Sequence, residues 1–387
     1  MITLLSNCEL YDPAPRGRAH LLVTGETTAW VGAARPVLPA GLGVEEVDLE
    51  GRRVIPGLID GHVHLTGGGG EAGPHTRVPP VALSRLTAGG VTTAIGVLGT
   101  DDTVRTTAEL VTVARGLIQQ GLSAWCHTGG YHVPLTTATG SVRLDIVLID
   151  LILGVGELAI SDHRSSQPTL EELLRIAADA HVGGLMTGKA GIVHLHLGDG
   201  EAGLELVRQA LDRSELPAAV FNPTHVNRKR RLFGEAMELA ERGSTVDVTA
   251  FPVEEGEDAW PAEEALVRYL DAGLPPERIT VSSDGGGCLP VFDAEGRVTA
   301  MDVGSPAALG HALRTLLRSG QPLERVLPAF TSNPARLLRL ERKGRLAAGA
   351  DADLVVLDAD GGVADVMARG RWHVRAGGAV VHGTFER

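Results

Sequence analysis

His62 and His64 are separated by one residue, at the expected C-terminal end of a β-strand. Residues two apart on a strand point to the same side, so both imidazoles face one point. Taken alone, this pattern is no more than a pair of polar residues at a strand end. Other metal-binding residue types stand at the ends of other expected strands: Glu157, His196, His225 and Asp284. Burying these groups together is costly unless a cation uses them. Four histidines and two carboxylates are too many for one zinc and suit two. A pair of ions ~3.5–4 Å apart needs a bridging carboxylate and yields a bridging hydroxide at neutral pH. Glu157 is the natural bridge, because its strand lies between the two groups of ligands. Asp284 would ligate one ion, take the proton of the attacking water and pass it to the leaving group. His194 competes with His196 on the same strand face. His196 lies closer to the strand end and is the expected ligand, which leaves His194 as a hydrogen-bonded neighbour.

The elements that must hold these residues follow from hydrophobic patterning. Short apolar runs at 54–65, 91–98, 123–131, 155–162, 192–198, 219–226, 245–251 and 279–285 read as strands. Helical segments are expected between and after them, at 81–88, 103–120, 170–180, 202–213, 232–242, 262–272, 311–318 and 323–340. Eight strand-then-helix units imply a closed parallel barrel, whose active site lies at the C-terminal ends of its strands. Strand-like runs at both ends of the chain cannot join that ring. The expectation is an α/β protein: a (β/α)8 TIM barrel over 54–343, with a small β-sandwich domain built from both termini, 1–53 and 344–387.

Composition narrows the function classes. The 387 residues carry a net charge of −13 and no basic block, which argues against a nucleic-acid partner. No apolar run approaches ~18 residues, so no membrane span is expected. The first residues show no signal-peptide pattern. Three widely spaced cysteines, Cys8, Cys126 and Cys288, fit a reducing cytoplasm, the expected location.

Pro56-Gly57-Leu58-Ile59-Asp60-Gly61-His62-Val63-His64 resembles the opening signature of the amidohydrolase superfamily. Gly67-Gly68-Gly69-Gly70-Glu71-Ala72-Gly73-Pro74, Leu98-Gly99-Thr100-Asp101, Gly130-Tyr131-His132-Val133-Pro134 and Ile160-Ser161-Asp162-His163-Arg164-Ser165 are narrower. With Pro223-Thr224-His225-Val226-Asn227-Arg228 and Ser282-Ser283-Asp284-Gly285, they resemble the isoaspartyl dipeptidases (β-aspartyl peptidases) over nearly the whole chain, including Gly383-Thr384-Phe385-Glu386. The resemblance implies a barrel with a small β-sandwich, two zinc ions per subunit, a homo-oligomer with an octamer as one form, and a small dipeptide substrate. Hydrolysis would cut the bond through the Asp side-chain carboxyl.

Carried over by residue, Glu71 would bind the substrate α-ammonium, with Gly69 letting the backbone come close. Arg164 and Arg228 would hold the two carboxylates, which suits a forked guanidinium. Tyr131 would polarise the scissile carbonyl, and Thr100 would add a hydroxyl contact. The chain departs from the family twice. Familiar members bridge the metals with a carboxylated Lys in a Gly-Val-Lys segment, whereas this chain reads Gly154-Val155-Gly156-Glu157, one residue longer. A bulge at Gly156 would re-aim Glu157 inward. Cys288 stands where the family often has Ser, and a thiol is a weaker donor. Four carboxylates in the segment 252–260, Glu254, Glu255, Glu257 and Asp258, read first as a solvated tip and second as a lure for a cationic leaving residue. Rival readings are another amidohydrolase reaction, such as N-acyl amino acid deacylation or cyclic-amide hydrolysis, and a non-catalytic scaffold. Glu71 weighs against the former, and the complete ligand set against the latter.

Overall fold

The computed structural model describes residues 1–292 and 297–386. Its centre is eight short strands: Leu58–Val63, Val91–Gly96, Ser123–Thr128, Ile152–Ile160, Val193–Leu197, Phe221–Thr224, Val246–Thr249 and Ile279–Ser282. The first six form one parallel sheet in chain order, and the last two pair with each other. Strand one meets strand eight through the backbone, where the His64 N–H donates to the Gly285 carbonyl at 2.9 Å. Side chains span the gap between strands six and seven. The Asn222 amide donates to the Thr245 carbonyl at 2.7 Å, and the Thr224 hydroxyl to Asp247 at 2.7 Å. Pro223 has no N–H to offer in that stretch.

The barrel strands are near-continuously apolar because both faces are covered. Every residue of Ile152–Ile160 is buried. Helices such as Thr107–Gln119, Leu170–Thr187, Arg230–Glu241 and Ala308–Arg318 form the outer layer. Leu170–Thr187 starts at a capping box, with Thr169 and Glu172 each bonding the other's backbone, and stops at Gly188 in the left-handed conformation. It buries Leu173, Ile176, Ala177 and Ala180, spaced at helical periodicity.

Strands from both ends of the chain pair into a single nine-stranded sheet. Arg53–Pro56 joins Leu354–Leu357 antiparallel, with Ile55 opposite Val355. Leu5, Leu10, Leu21, Val54, Leu354 and Met367 form its own buried cluster. The expected strand 54–65 is therefore two strands. Gly57 separates them, donating its N–H to the Asp353 carbonyl at 2.9 Å. A Cβ at Gly57 would lie 2.1 Å from the Thr92 hydroxyl, so only glycine fits.

Other expectations also change. The segment 323–340 is not one helix but Leu323–Val326, a 3-10 turn Leu327–Phe330 and Ser332–Leu337. Pro328 and Pro334 remove the donors a continuous helix needs. A helix Val142–Leu148, capped by Ser141, and a hairpin of Cys288–Phe292 with Val298–Val303 were not anticipated. No helix among the described residues is long and apolar enough to cross a membrane.

Candidate metal centre and active site

The six candidate ligands converge at the C-terminal ends of the barrel strands, all of them buried. His62 and His64 leave the first strand on the same side. His225, directly after strand six, and Asp284, two residues beyond strand eight, each adopt a left-handed backbone, with φ of 59° and 52°. Such a conformation costs a non-glycine residue on the order of 1 kcal/mol or more, and it turns both side chains over the barrel mouth.

Glu157 sits at the middle. The register between strands four and five slips by one residue between the pairs Val193–Val155 and Leu195–Leu158, so strand four carries a bulge at Gly156-Glu157. A Cβ on Gly156 would stand 2.8 Å from the His194 Cβ. The Glu157 carboxylate lies 3.0 Å from His196 Nδ1, 3.2 Å from His64 Nε2, 3.5 Å from His225 Nε2 and 3.6 Å from His62 Nε2. Asp284 Oδ1 lies 3.2 Å from His64 Nε2 and 3.5 Å from His62 Nε2.

Two groups of three emerge, His62 with His64 and Asp284, and His62 with Glu157 and His225, each with ligand atoms within 4.8 Å of one another. His196 falls outside both groups. Its Nδ1 meets Glu157 and its Nε2 meets Asp162 at 2.9 Å. His194 lies behind His62, its Nε2 2.8 Å from His62 Nδ1. These residues fit a cation: His62 Nε2, His225 Nε2 and Asp284 Oδ1 are buried and have no hydrogen-bond partner. Burial pushes His62 well down and His225 down to about 4, whereas Asp284 and Glu157 raise His64 against burial. Burial opposes ionisation of Glu157, yet His62 and His196 outweigh it and hold the carboxylate well below its usual range. Asp284 is likewise held low against burial by His64, His62 and His225.

Above this floor opens a cavity of about 310 Å³. Gly69, Glu71, Thr100, Tyr131, Arg164, Arg228 and Cys288 all line it. Glu71 Oε1 accepts from the Thr100 hydroxyl at 3.0 Å, while Oε2 is buried without a partner. Gly69 has φ 82°, and a Cβ there would lie 2.6 Å from the Thr76 carbonyl. The Cys288 thiol is pushed up to about 12 by burial and by Glu71. The Tyr131 hydroxyl stands 2.8 Å from His196 Nδ1. Burial and the charge of Glu157 raise its pKa well above the ordinary value, so it remains a donor.

Arg164 is held by Asp162, Nε to Oδ1 at 3.0 Å and Nη2 to Oδ2 at 2.8 Å, with Nη1 3.5 Å from Glu71. Sequence reasoning assigned Asp162 no role. Its place two residues beyond strand four and two before Arg164 was the available signal. Of the four carboxylates in 252–260, only Glu257 is among the residues lining the cavity, beside Phe251, Pro252 and Ala259.

Residues 53–373 match the family model of the amidohydrolase family. The β-aspartyl dipeptidase of the thermophilic keratin degrader Fervidobacterium islandicum AW-1, solved in complex with the dipeptide β-Asp-Leu, is 41% identical. The match has a TM-score of 0.92 and covers 98% of this chain and 97% of that one. A second structure of that enzyme gives 0.89 at 40% identity, covering 98% of each chain. The imidazolonepropionase of Salinispora arenicola is 27% identical over 378 residues, 89% of this chain and 86% of its own. The chain belongs to the amidohydrolase family, on the branch of the β-aspartyl dipeptidases.

Proposed function

We propose that the protein is a binuclear metal-dependent peptidase that cleaves the isopeptide bond of β-aspartyl dipeptides, working as a homo-oligomer. One observation carries the reading. A buried carboxylate oxygen without a partner, Glu71 Oε2, shares a small cavity with Arg164 and Arg228, over the ligand cluster of Glu157 and Asp284. That cavity offers one anion for an ammonium and two cations for carboxylates, the charges a β-aspartyl dipeptide carries. The Fervidobacterium enzyme, solved with such a dipeptide, supports it.

His62, His64 and Asp284 would hold one ion and His196 and His225 the other, with Glu157 shared. Two divalent ions held there, zinc by family resemblance, would supply a hydroxide nucleophile at neutral pH and polarise the scissile carbonyl. Asp284, kept ionised by the imidazoles around it, accepts the nucleophile's proton and delivers it to the leaving amine. Tyr131 donates its hydroxyl proton in a hydrogen bond to the developing oxyanion. Glu71 pairs with the substrate ammonium, and Arg228 and Arg164 with its carboxylates. Asp162 locks the Arg164 fork, so little side-chain freedom is lost on binding.

The test is a panel of β-Asp-X dipeptides, N-acetylated β-Asp-X and a cyclic amide, assayed with the zinc-loaded protein. A site built around Glu71 should favour the free ammonium by about 10²-fold or more in kcat/KM, since the N-acyl analogue leaves that carboxylate unpaired. Equal turnover of the N-acetylated dipeptide, or faster turnover of the cyclic amide, rejects the reading.

A further inference from the structure

The two ring nitrogens of His62 face different partners. Nε2 points at Glu157 and Asp284. Nδ1 lies 2.8 Å from His194 Nε2, and His194 Nδ1 lies 2.6 Å from Asn222 Oδ1. The chain ends at the backbone: the Asn222 amide nitrogen donates to the Thr245 carbonyl at 2.7 Å. All three side chains are buried.

For neutral imidazoles, that last bond fixes every proton before it. A carbonyl only accepts, so the Asn222 atom facing Thr245 is the NH2 group and the atom facing His194 is the oxygen. The oxygen also only accepts, so His194 carries its proton on Nδ1. With one proton, His194 presents a lone pair at Nε2, and His62 must donate to it from Nδ1. The remaining lone pair of His62 is then on Nε2, aimed into the ligand cluster. Were the amide reversed, each imidazole would take its other tautomer, and His62 would turn an N–H toward the metals. The rings also have little room to turn. His127 stacks on His194 with centroids 5.6 Å apart and planes 22° from parallel. The His194 Cβ is the atom a Cβ on Gly156 would meet.

We infer that His194 and Asn222 are positioning residues: a relay anchored on the Thr245 carbonyl that fixes His62 in its metal-binding tautomer. The inference rests on the proposed function only in taking His62 as a metal ligand. Partners behind a ligating histidine typically matter 10–100-fold in metal affinity.

The experiment measures zinc affinity on the full-length protein, stripped and titrated against a chromophoric chelator, alongside melting of the zinc-free form. Asn222→Leu removes the acceptor and should weaken one of two zincs by about 10–100-fold. Asn222→Asp keeps the acceptor and should hold zinc far more tightly than Asn222→Leu. His194→Gln puts an amide where the ring was, able to accept from His62 without Asn222. In that background Asn222→Leu should cost no further affinity, a coupling that a merely structural role does not produce. Wild-type affinity in Asn222→Leu, or independent losses in the double variant, overturns the relay. Should Asn222→Leu fail to fold, zinc loss in Asn222→Asp as severe as in a His62→Ala control overturns it instead. A wild-type protein that binds no zinc overturns both this inference and the proposed function.

Discussion

A buried phenol 2.8 Å from an imidazole, with carboxylates nearby, keeps its proton and can only lend it. Tyr131→Phe preserves the ring and removes that donor. If the hydroxyl acts mainly in the transition state, kcat should fall by ~10²-fold or more with a modest change in KM. Steady-state kinetics on a β-aspartyl dipeptide decides it, and an unchanged kcat removes the oxyanion role. Glu157 makes a different claim. A carboxylated Lys must capture carbon dioxide, whereas a Glu carboxylate is complete as synthesised. Metal-stripped protein should regain full activity with zinc alone in carbon-dioxide-depleted buffer. Glu157→Gln keeps the size, loses the charge and should lose at least one zinc per subunit. A bicarbonate requirement, or two tightly held zincs in the variant, shows that the bridge is another group. The ligands themselves were legible because strand-end positions and a two-residue period are properties of the chain. Asp162 and the His62–His194–Asn222 relay were not. Which side chain backs which depends on register between strands distant in sequence, and a register is set by the whole sheet.

Strand four shows how an element serves the site. It carries a bulge at Gly156-Glu157, which is possible because Gly156 lets the backbone pass close to His194. Gly156→Ala forces a Cβ to 2.8 Å from the His194 Cβ, between two packed strands that have no free space to yield. Overpacking of this kind costs about 1–3 kcal/mol, to be read from urea unfolding. Because the displaced residue adjoins Glu157, zinc content should fall as well. An alanine variant with wild-type stability and two zincs shows that the close approach is not needed. The alternation of strands and helices was readable because doubly covered parallel strands are apolar throughout and stand out from amphipathic helices. Boundaries were less so. Val54 to Leu65 is one apolar run, and only the fold reveals that Gly57 passes it from one sheet to another. Pro328 and Pro334 did signal the breaks after Leu323, but the surrounding apolar spacing masked them. The helix Val142–Leu148 is two turns long, too short for periodicity to register.

At the scale of the molecule, charge should sort the proposed substrates before any contact forms. The chain carries −13 overall. At neutral pH, β-Asp-Leu bears two carboxylates and one ammonium and is a net anion, while β-Asp-Arg is neutral. The field of an acidic protein therefore opposes approach of the first more than the second, and such steering fades with salt, whose Debye length is ~10 Å at 0.1 M. Glu257 lines the cavity with Phe251, Pro252 and Ala259, and it would add a local preference for a cationic leaving residue whose aliphatic stem they can take. The two effects separate by experiment. At low salt, kcat/KM for β-Asp-Arg should exceed that for β-Asp-Leu, and the gap should narrow as salt rises, with β-Asp-Leu gaining. Glu257→Gln changes the net charge by one and barely alters the long-range field, so the salt response of β-Asp-Leu should persist while the preference for Arg shrinks. Equal rates at low salt reject steering by the acidic surface. A preference for Arg that survives Glu257→Gln unchanged rejects Glu257 as the residue that reads the leaving group.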